Sequence, residues 1–137
     1  MKIVGKVWKS EQDKFWLAEI PSLDLMVQAK RKKEVPEMIK DAVELLADDS
    51  TFSAKATMVD DFVFLDANDT KILIALILKR QRQKKHLNLE EVASHLQARS
   101  INEYAQYEQG RHLPSFEKFE QLLKAIDPEL NVFMSLK

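Results

Sequence analysis

The chain contains no cysteine and only two glycines among its 137 residues. Without cysteine it can form neither disulfides nor thiolate metal sites, and this fits a reducing cytoplasm. Two glycines cannot build the glycine-rich loop with which nucleotide-binding enzymes hold phosphates. The longest apolar run, residues 72–78, is far too short to span a bilayer, and the first residues lack the apolar core of a secretory signal. These absences favour a cytoplasmic protein that has no membrane partner.

Charge is balanced over the whole chain but differs between its halves. The net charge is −1, which by itself gives no sign of a nucleic-acid partner. Residues 1–69 contain 10 Lys or Arg and 14 Asp or Glu, whereas residues 70–137 contain 11 and 8. This asymmetry is typical of a basic DNA-binding half joined to an acidic half that binds another partner, although chance segregation of a few charges gives the same counts.

The first half has the patterns of several strands and one helix. Strand-like alternation or β-rich composition occurs in three runs, residues 2–9, 14–20 and 25–29. A helix is predicted at 34–47, where apolar side chains fall on one stripe and proline lies in the first turn. Beyond it, residues 52–59 and 62–66 have the pattern of one or two further strands, separated by a kink. The order β-β-β-α-β predicts an α+β layer with one helix on one sheet face.

The second half contains the start and stop signals of two short helices. Asn88 is followed three residues later by Glu91, and Ser100 by Glu103, so each pair can form a capping box at a helix start. Gly110 can close the second of these helices in the left-handed conformation. Two short capped helices with a tight link predict a helix-turn-helix, whose second helix enters the major groove of DNA.

Polar residues 66–69 mark the predicted domain boundary, which gives domains 1–68 and 69–137. A helix follows and runs to about Lys85. Its first part, residues 72–78, is apolar on every face, so the first domain or a second protomer must cover it. The end of this helix is cationic, which suits both a helix C-terminus and phosphate contact.

The end of the second domain is predicted to form a helix from Ser115 and then a short C-terminal strand, residues 131–136. This strand has no obvious partner in its own domain, and exposed strand edges seek pairing. A homodimer or higher homo-oligomer is therefore predicted, through this strand or through the apolar helix segment 72–78.

The second helix of the predicted helix-turn-helix, about residues 101–109, presents polar side chains outward. Asn and Gln read adenine in the major groove, while Arg and a capping Ser contact phosphates. Polar outward side chains also serve plain solubility, so the helix is a stronger prediction than any one residue. The candidate DNA-binding residues are Arg82, Arg99, Ser100, Asn102, Glu103, Gln106 and Arg111.

No pattern for catalysis, a cofactor or a metal ion is found. The three His residues lack metal-ligand spacing, and no Ser or His lies in a recognisable nucleophile motif. A two-metal nuclease needs several converging carboxylates, whereas the Asp pairs at 48–49 and 60–61 are typical of solvated turns. The basic run 30–33 could attract RNA or an acidic surface, or it could be a solvated loop.

Two sets of residues resemble known families. The ending Tyr104-x-x-Tyr-Glu-x-Gly-Arg-x-x-Pro-Ser115, with Arg82 before it, is similar to the helix-turn-helix of phage-repressor-type (Xre-like) regulators. The link from Leu96 to Ser100 is one residue longer than the usual repressor turn. In addition, Glu108 resembles the structural Glu of phage-repressor-type regulators, and this resemblance implies an ion pair within the domain that orients Arg82. In the first half, residues 15–23 and 34–46 resemble the HicB family of antitoxins, which implies a partial RNase H-like fold.

Together the resemblances imply an antitoxin of a type II toxin–antitoxin system. Such a protein would neutralise a HicA-type mRNA-cleaving toxin by direct binding and would repress its own operon by binding operator DNA. One alternative is a stand-alone dimeric repressor whose first domain binds a ligand or only dimerises. Another is an RNase H-like nuclease tethered to DNA.

Overall fold

A computed structural model describes residues 1–136 and divides them into two compact units. The first unit is Met1–Leu73, and the second begins at Ile74. The division falls inside a helix, close to the boundary predicted between residues 68 and 69. No helix of residues 1–136 is both long enough and apolar enough to cross a membrane.

The first unit is an antiparallel sheet with one long helix. Its elements are β1 (Lys2–Lys9), β2 (Trp16–Ile20), β3 (Leu25–Ala29), α1 (Val35–Ala47), β4 (Ala54–Val59) and β5 (Phe62–Ala67). Short 3-10 turns at Pro21–Leu23 and Lys32–Glu34 flank β3. The five strands lie in the order β3-β2-β1-β5-β4. The predicted α+β class is confirmed.

The strand count corrects the predicted order, because two strands follow the helix instead of one. The predicted kink is the turn of a tight hairpin: Val59 pairs with Phe62, and only Asp60 and Asp61 lie between them. Asp60 has a φ of 54°. Two-residue hairpins need such left-handed backbone, and Asp tolerates it better than most residues.

α1 crosses the sheet from one edge to the other, because it contacts both edge strands, β3 and β4. Its apolar stripe packs onto one face of the sheet, where Val35, Ile39 and Val43 are buried. Along β1 the buried residues Gly5 and Val7 alternate with exposed ones. A side chain at Gly5 would meet the carbonyl oxygen of Glu19 on β2, so close strand packing requires glycine there.

The second unit is helical. Its helices are α2 (Thr70–Lys84, which starts in the first unit), α3 (Leu89–His95), α4 (Ile101–Glu108) and α5 (Phe116–Ile126). The capping box at Asn88 is confirmed, since its Oδ1 accepts from the Glu91 N–H at 2.8 Å while Glu91 accepts from the Asn88 N–H at 3.1 Å. These two bonds satisfy N–H groups that have no partner within α3.

The predicted capping box at Ser100 is only half right. The Ser100 side chain makes no capping hydrogen bond. Glu103 does reach back across the helix start, but its Oε2 accepts from the backbone N–H of Arg99 at 2.7 Å. The carboxylate therefore satisfies a backbone donor one residue earlier than a capping box requires.

Three helices of the second unit end in the same way, with one left-handed residue just after the helix. These residues are His86 (φ 56°), Gln97 (φ 59°) and Gly110 (φ 72°). In each case the following residue donates its N–H to a carbonyl five residues back; Ala98 to Ala93 at 2.9 Å is one example. This is the Schellman arrangement, which usually has glycine at the left-handed position. With two glycines in the chain, His and Gln occupy two of these positions.

Two predictions about apolar segments are corrected. Residues 131–136 form no strand, and Phe133 and Leu136 are 92% and 89% exposed. A strand needs a hydrogen-bonded neighbour, and no other strand pairs with this segment in the single chain. In contrast, all six residues of Leu73–Leu78 are buried in the single chain, so a second protomer is not needed to cover them.

Replacing the left-handed residues by glycine should stabilise the second unit. Gln97→Gly and His86→Gly each remove the clash of a side chain in left-handed backbone, partly offset by the entropy of a glycine in the unfolded chain. We expect each to raise the free energy of unfolding by about 0.5–1 kcal/mol. The matched control Gly110→Ala should lower it by a similar amount. Chemical denaturation measures all three, and a loss of stability in both glycine variants would contradict this account.

Candidate nucleic-acid interface

The helix-turn-helix consists of α3, α4 and the link between them. α3 contacts both α4 and α5. Both helices bury one small and one large side chain: Ala93 and Val92 on α3, and Ala105 and Tyr104 on α4. On α4, Tyr104 is fully buried, whereas Ile101 is 43% exposed.

A buried ion pair joins the last turn of α2 to the last turn of α4. The Nε of Arg82 donates to Glu108 Oε2 at 2.9 Å, and Nη2 donates to Oε1 at 2.5 Å. Nη1 donates to the carbonyl oxygen of Leu87, just before α3, at 2.9 Å. The side chains of Arg82 and Glu108 are only 15% and 7% exposed. One guanidinium therefore fixes α2, α4 and the start of α3 together.

The surroundings of Arg82 and Tyr104 shift their pKa values so that Arg82 stays charged and Tyr104 stays neutral. The hydrogen bond to Glu108 raises the pKa of Arg82, so its charge is permanent. Burial raises the pKa of Tyr104, and the nearby carboxylate of Glu108 adds to the effect, so the phenol stays neutral.

Two of the candidate DNA contacts, Arg82 and Glu103, have hydrogen-bond partners inside the unit. Arg82 directs its guanidinium to Glu108 and Leu87 inside the unit, so its role is to position the helices. The carboxylate of Glu103 is engaged by the backbone of Arg99, and a carboxylate is repelled by phosphates. We therefore assign Glu103 to capping rather than to base reading.

The other five candidates lie at the two ends of α4. Arg99, Ser100 and Asn102 are exposed at its N-terminal end, and Gln106 is half-buried one turn later. The Gln106 amide donates to the carbonyl oxygen of Glu103 at 3.2 Å, a weak bond that a base edge could replace. Arg111 is exposed just past the left-handed Gly110 at the other end. An amide-bearing helix face between two arginines suits base reading flanked by phosphate contacts.

Two features of this surface were not singled out from the sequence. Leu113 is 55% exposed in the loop after α4, and Lys85 of the cationic end of α2 pairs with Asp127 at 3.2 Å. Hydrogen bonding from the backbone N–H of Glu129, followed by contact with Lys85, lowers the pKa of Asp127. The periodicity of apolar residues in the sequence does not show whether a lysine pairs with a distant aspartate or is available to phosphates.

Among residues 1–136 no group of three or more His, Asp or Glu could hold a metal ion.

Removing the buried carboxylate should destabilise the helix-turn-helix. Glu108→Ala leaves the Arg82 charge without its partner in a largely dry site, and we expect a loss of about 3–5 kcal/mol in the free energy of unfolding. Glu103→Ala is the matched control, since it removes a carboxylate nearer the helix start and should cost no more than about 1.5 kcal/mol. Urea denaturation followed by circular dichroism measures both. Equal losses would mean that the ion pair has no special role.

Comparison with known families gives one match in the second half of the chain. A family model described as a helix-turn-helix domain matches residues 74–127. Comparison with curated proteins gives no match. The matched range contains α3, α4, α5 and most of α2, and it includes both members of the Arg82–Glu108 pair. Residues 74–127 are therefore a helix-turn-helix domain, a class of domain that binds DNA sequence-specifically and regulates transcription.

Proposed function

We propose that this protein is the non-enzymatic antitoxin of a type II toxin–antitoxin system. In this proposal the second unit binds operator DNA and represses the operon, and the first unit binds and blocks a HicA-type toxin that cleaves mRNA. The observation that carries the proposal is the union of a helix-turn-helix domain with a separate sheet-and-helix unit. The resemblance of residues 15–23 and 34–46 to HicB antitoxins is the reason for proposing a HicA-type toxin as the partner of the first unit.

DNA recognition would use α4 in the major groove. Asn102 and Gln106 carry amides that can bond both hydrogen-bonding groups of an adenine edge. Arg99 and Arg111, at opposite ends of the helix, would meet phosphates on either side of the groove. The unbonded Ser100 hydroxyl at the helix start is available to a phosphate oxygen.

Base-reading and phosphate-binding residues should respond differently to substitution. Asn102→Ala with Gln106→Ala should relax sequence preference, because each good bidentate contact contributes roughly 1–3 kcal/mol of discrimination. Arg99→Ala or Arg111→Ala should weaken binding to all sequences and lower the salt slope by about 1. Gel shifts on the DNA upstream of the gene, at several salt concentrations, measure both effects. Unchanged affinity and preference in the double variant would remove α4 from the interface.

A two-fold operator requires two copies of α4 about 34 Å apart, so repression is proposed to need a dimer. With Leu73–Leu78 buried in the single chain, the exposed terminal segment 131–136 is the dimerising surface that we retain. An apolar segment that is largely solvent-exposed can pair with its own copy as an antiparallel strand.

Deletion of residues 131–137 should yield monomers that no longer bind the operator tightly, because each would present a single recognition helix. Sedimentation equilibrium compares the deletion with the full chain. The double variant Phe133→Lys/Met134→Lys is a second test, which leaves the length of the chain unchanged. A full chain that is monomeric at micromolar concentration would contradict the dimer.

Neutralisation should not depend on DNA binding. Co-expression of the full chain with a HicA-type toxin encoded beside it should restore growth, and the Asn102→Ala/Gln106→Ala variant should restore it equally well. Colony counts after toxin induction measure both. Failure of the full chain to rescue, with operator binding intact, would favour the stand-alone repressor instead.

A further inference from the structure

The outward side of α1 combines exposed apolar and acidic side chains. Val35, Ile39 and Val43 face the sheet and are buried. On the other side, helical spacing brings together residues that are all exposed, namely Glu37, Met38, Asp41, Leu45 and Asp48. We call this set the α1 outer face. Leu45 is 81% exposed at its centre, and Met38 lies two turns before it.

The negative charge of the first unit is concentrated in this helix layer. Residues 34–49 contain six Asp or Glu and one Lys, a balance of −5. The remainder of residues 1–69 contains 9 Lys or Arg and 8 Asp or Glu, a balance of +1. The acidic character of the first half is therefore a property of α1 and the residues that flank it.

Not every carboxylate of α1 belongs to that face. Glu44 is bound on both sides, by the ammonium of Lys40 and by the backbone N–H of Ala54 on β4 at 2.9 Å. These hydrogen bonds, the one from Lys40 first, lower the pKa of Glu44. Glu44 thus anchors the helix end to the sheet, whereas Glu37, Asp41 and Asp48 have exposed carboxylates without such a role.

The placement of Asp41 and Asp48 opposes helix stability, whereas Glu37 lies in the first turn, where an acidic side chain is favourable. The last turn of α1 contains no basic residue, and Asp48 occupies its C-cap. A helix C-terminus carries partial negative charge and favours Lys or Arg, and like charges at i, i+4 and i, i+7 repel one another. An acidic C-terminal half is unfavourable for folding alone, which indicates that the face is kept for an interaction.

The opposite surface of the sheet has a different chemistry. It exposes Val4, Trp8, Met26 and Phe62, and it also presents lysines from β1 and β4. Charge is mixed there, because Lys2 and Lys6 lie opposite Asp66 and Glu19 in the sheet. Around Leu45 the three exposed carboxylates outnumber the one cation, Lys40, which pairs with Glu44. Charge complementarity therefore selects the helix side for a strongly basic partner.

We propose that the α1 outer face is the docking surface for the RNA-binding surface of the toxin. The inference rests on the function proposed above, because a protein that cleaves mRNA must present cations to phosphates. Leu45 and Met38 form the apolar centre of the contact, and the carboxylates of Glu37, Asp41 and Asp48 form its charged rim. Neutralisation then occurs by occupation: the carboxylates pair with the cations that would otherwise bind RNA.

The test uses the full chain and a catalytically inactive form of the neighbouring HicA-type toxin. Asp41→Arg with Leu45→Arg should weaken toxin binding about 100-fold, since the first reverses a charge of the rim and the second removes the apolar centre of the contact. Operator binding should be unchanged. Met26→Arg is the matched control, because Met26 is 56% exposed on the other side of the sheet, and it should change the affinity less than threefold. Single-stranded RNA should displace the wild-type chain from the toxin.

A milder pair of substitutions guards against misfolding. Asp41→Asn with Asp48→Asn keeps the side-chain shape and should flatten the salt dependence of toxin binding. Normal toxin binding by the Arg variant, or loss of binding in Met26→Arg alone, would overturn the proposed surface while leaving the antitoxin function intact. A wild-type chain that binds its operator but not the toxin would overturn the antitoxin function itself, and this inference with it.

Discussion

The arrangement of helices in the second unit depends on neutralisation of the Arg82 charge by Glu108, in a site that little water reaches. The pair with Glu108 is more than a link between two side chains, because the same guanidinium also holds the carbonyl oxygen of Leu87. Three helices therefore share one planar group with fixed geometry. Arg suits this task because its fork of donors binds a carboxylate and a carbonyl at once, which the single ammonium of Lys cannot do. The position of α4 relative to α3 follows from it.

The two units differ in where their charged side chains lie. In the second unit cations lie at the ends of α4, and the one acidic side chain near its start is turned back to the backbone of Arg99. In the first unit the excess of carboxylates lies in residues 34–49, which contain six Asp or Glu and one Lys. The net charge of −1 conceals both arrangements, because opposite excesses cancel in the sum. Local placement, rather than total charge, indicates which partner each surface suits.

Features that rest on close spacing or on a family-like pattern were mostly predicted correctly from the sequence, whereas those that depend on the path of the chain were not. Asn88 and Glu91 lie within one helical turn, so their capping box follows from spacing alone, and the match of Arg82 to Glu108 follows from the repressor-like pattern. Ser100 and Glu103 do not form the predicted capping box, because the path of the preceding link decides which backbone N–H reaches the Glu103 carboxylate. The predicted terminal strand does not form, because no other strand of the single chain pairs with residues 131–136. The exposure of Ile101 and Leu113 depends on tertiary packing, which helical periodicity does not report.

The scarcity of glycine has a consequence for how long the protein survives. Among residues 1–136, six residues other than glycine hold left-handed backbone. Four of them, Asp24, Asp48, His86 and Gln97, each follow a helix or 3-10 turn. Strain at such joints lowers the free energy needed to open them locally, so they open far more often than the core unfolds. Proteases cleave exposed, locally opened backbone. We therefore expect degradation to begin at the helix joints, so that turnover in the cell is governed by local opening there rather than by the stability of either core.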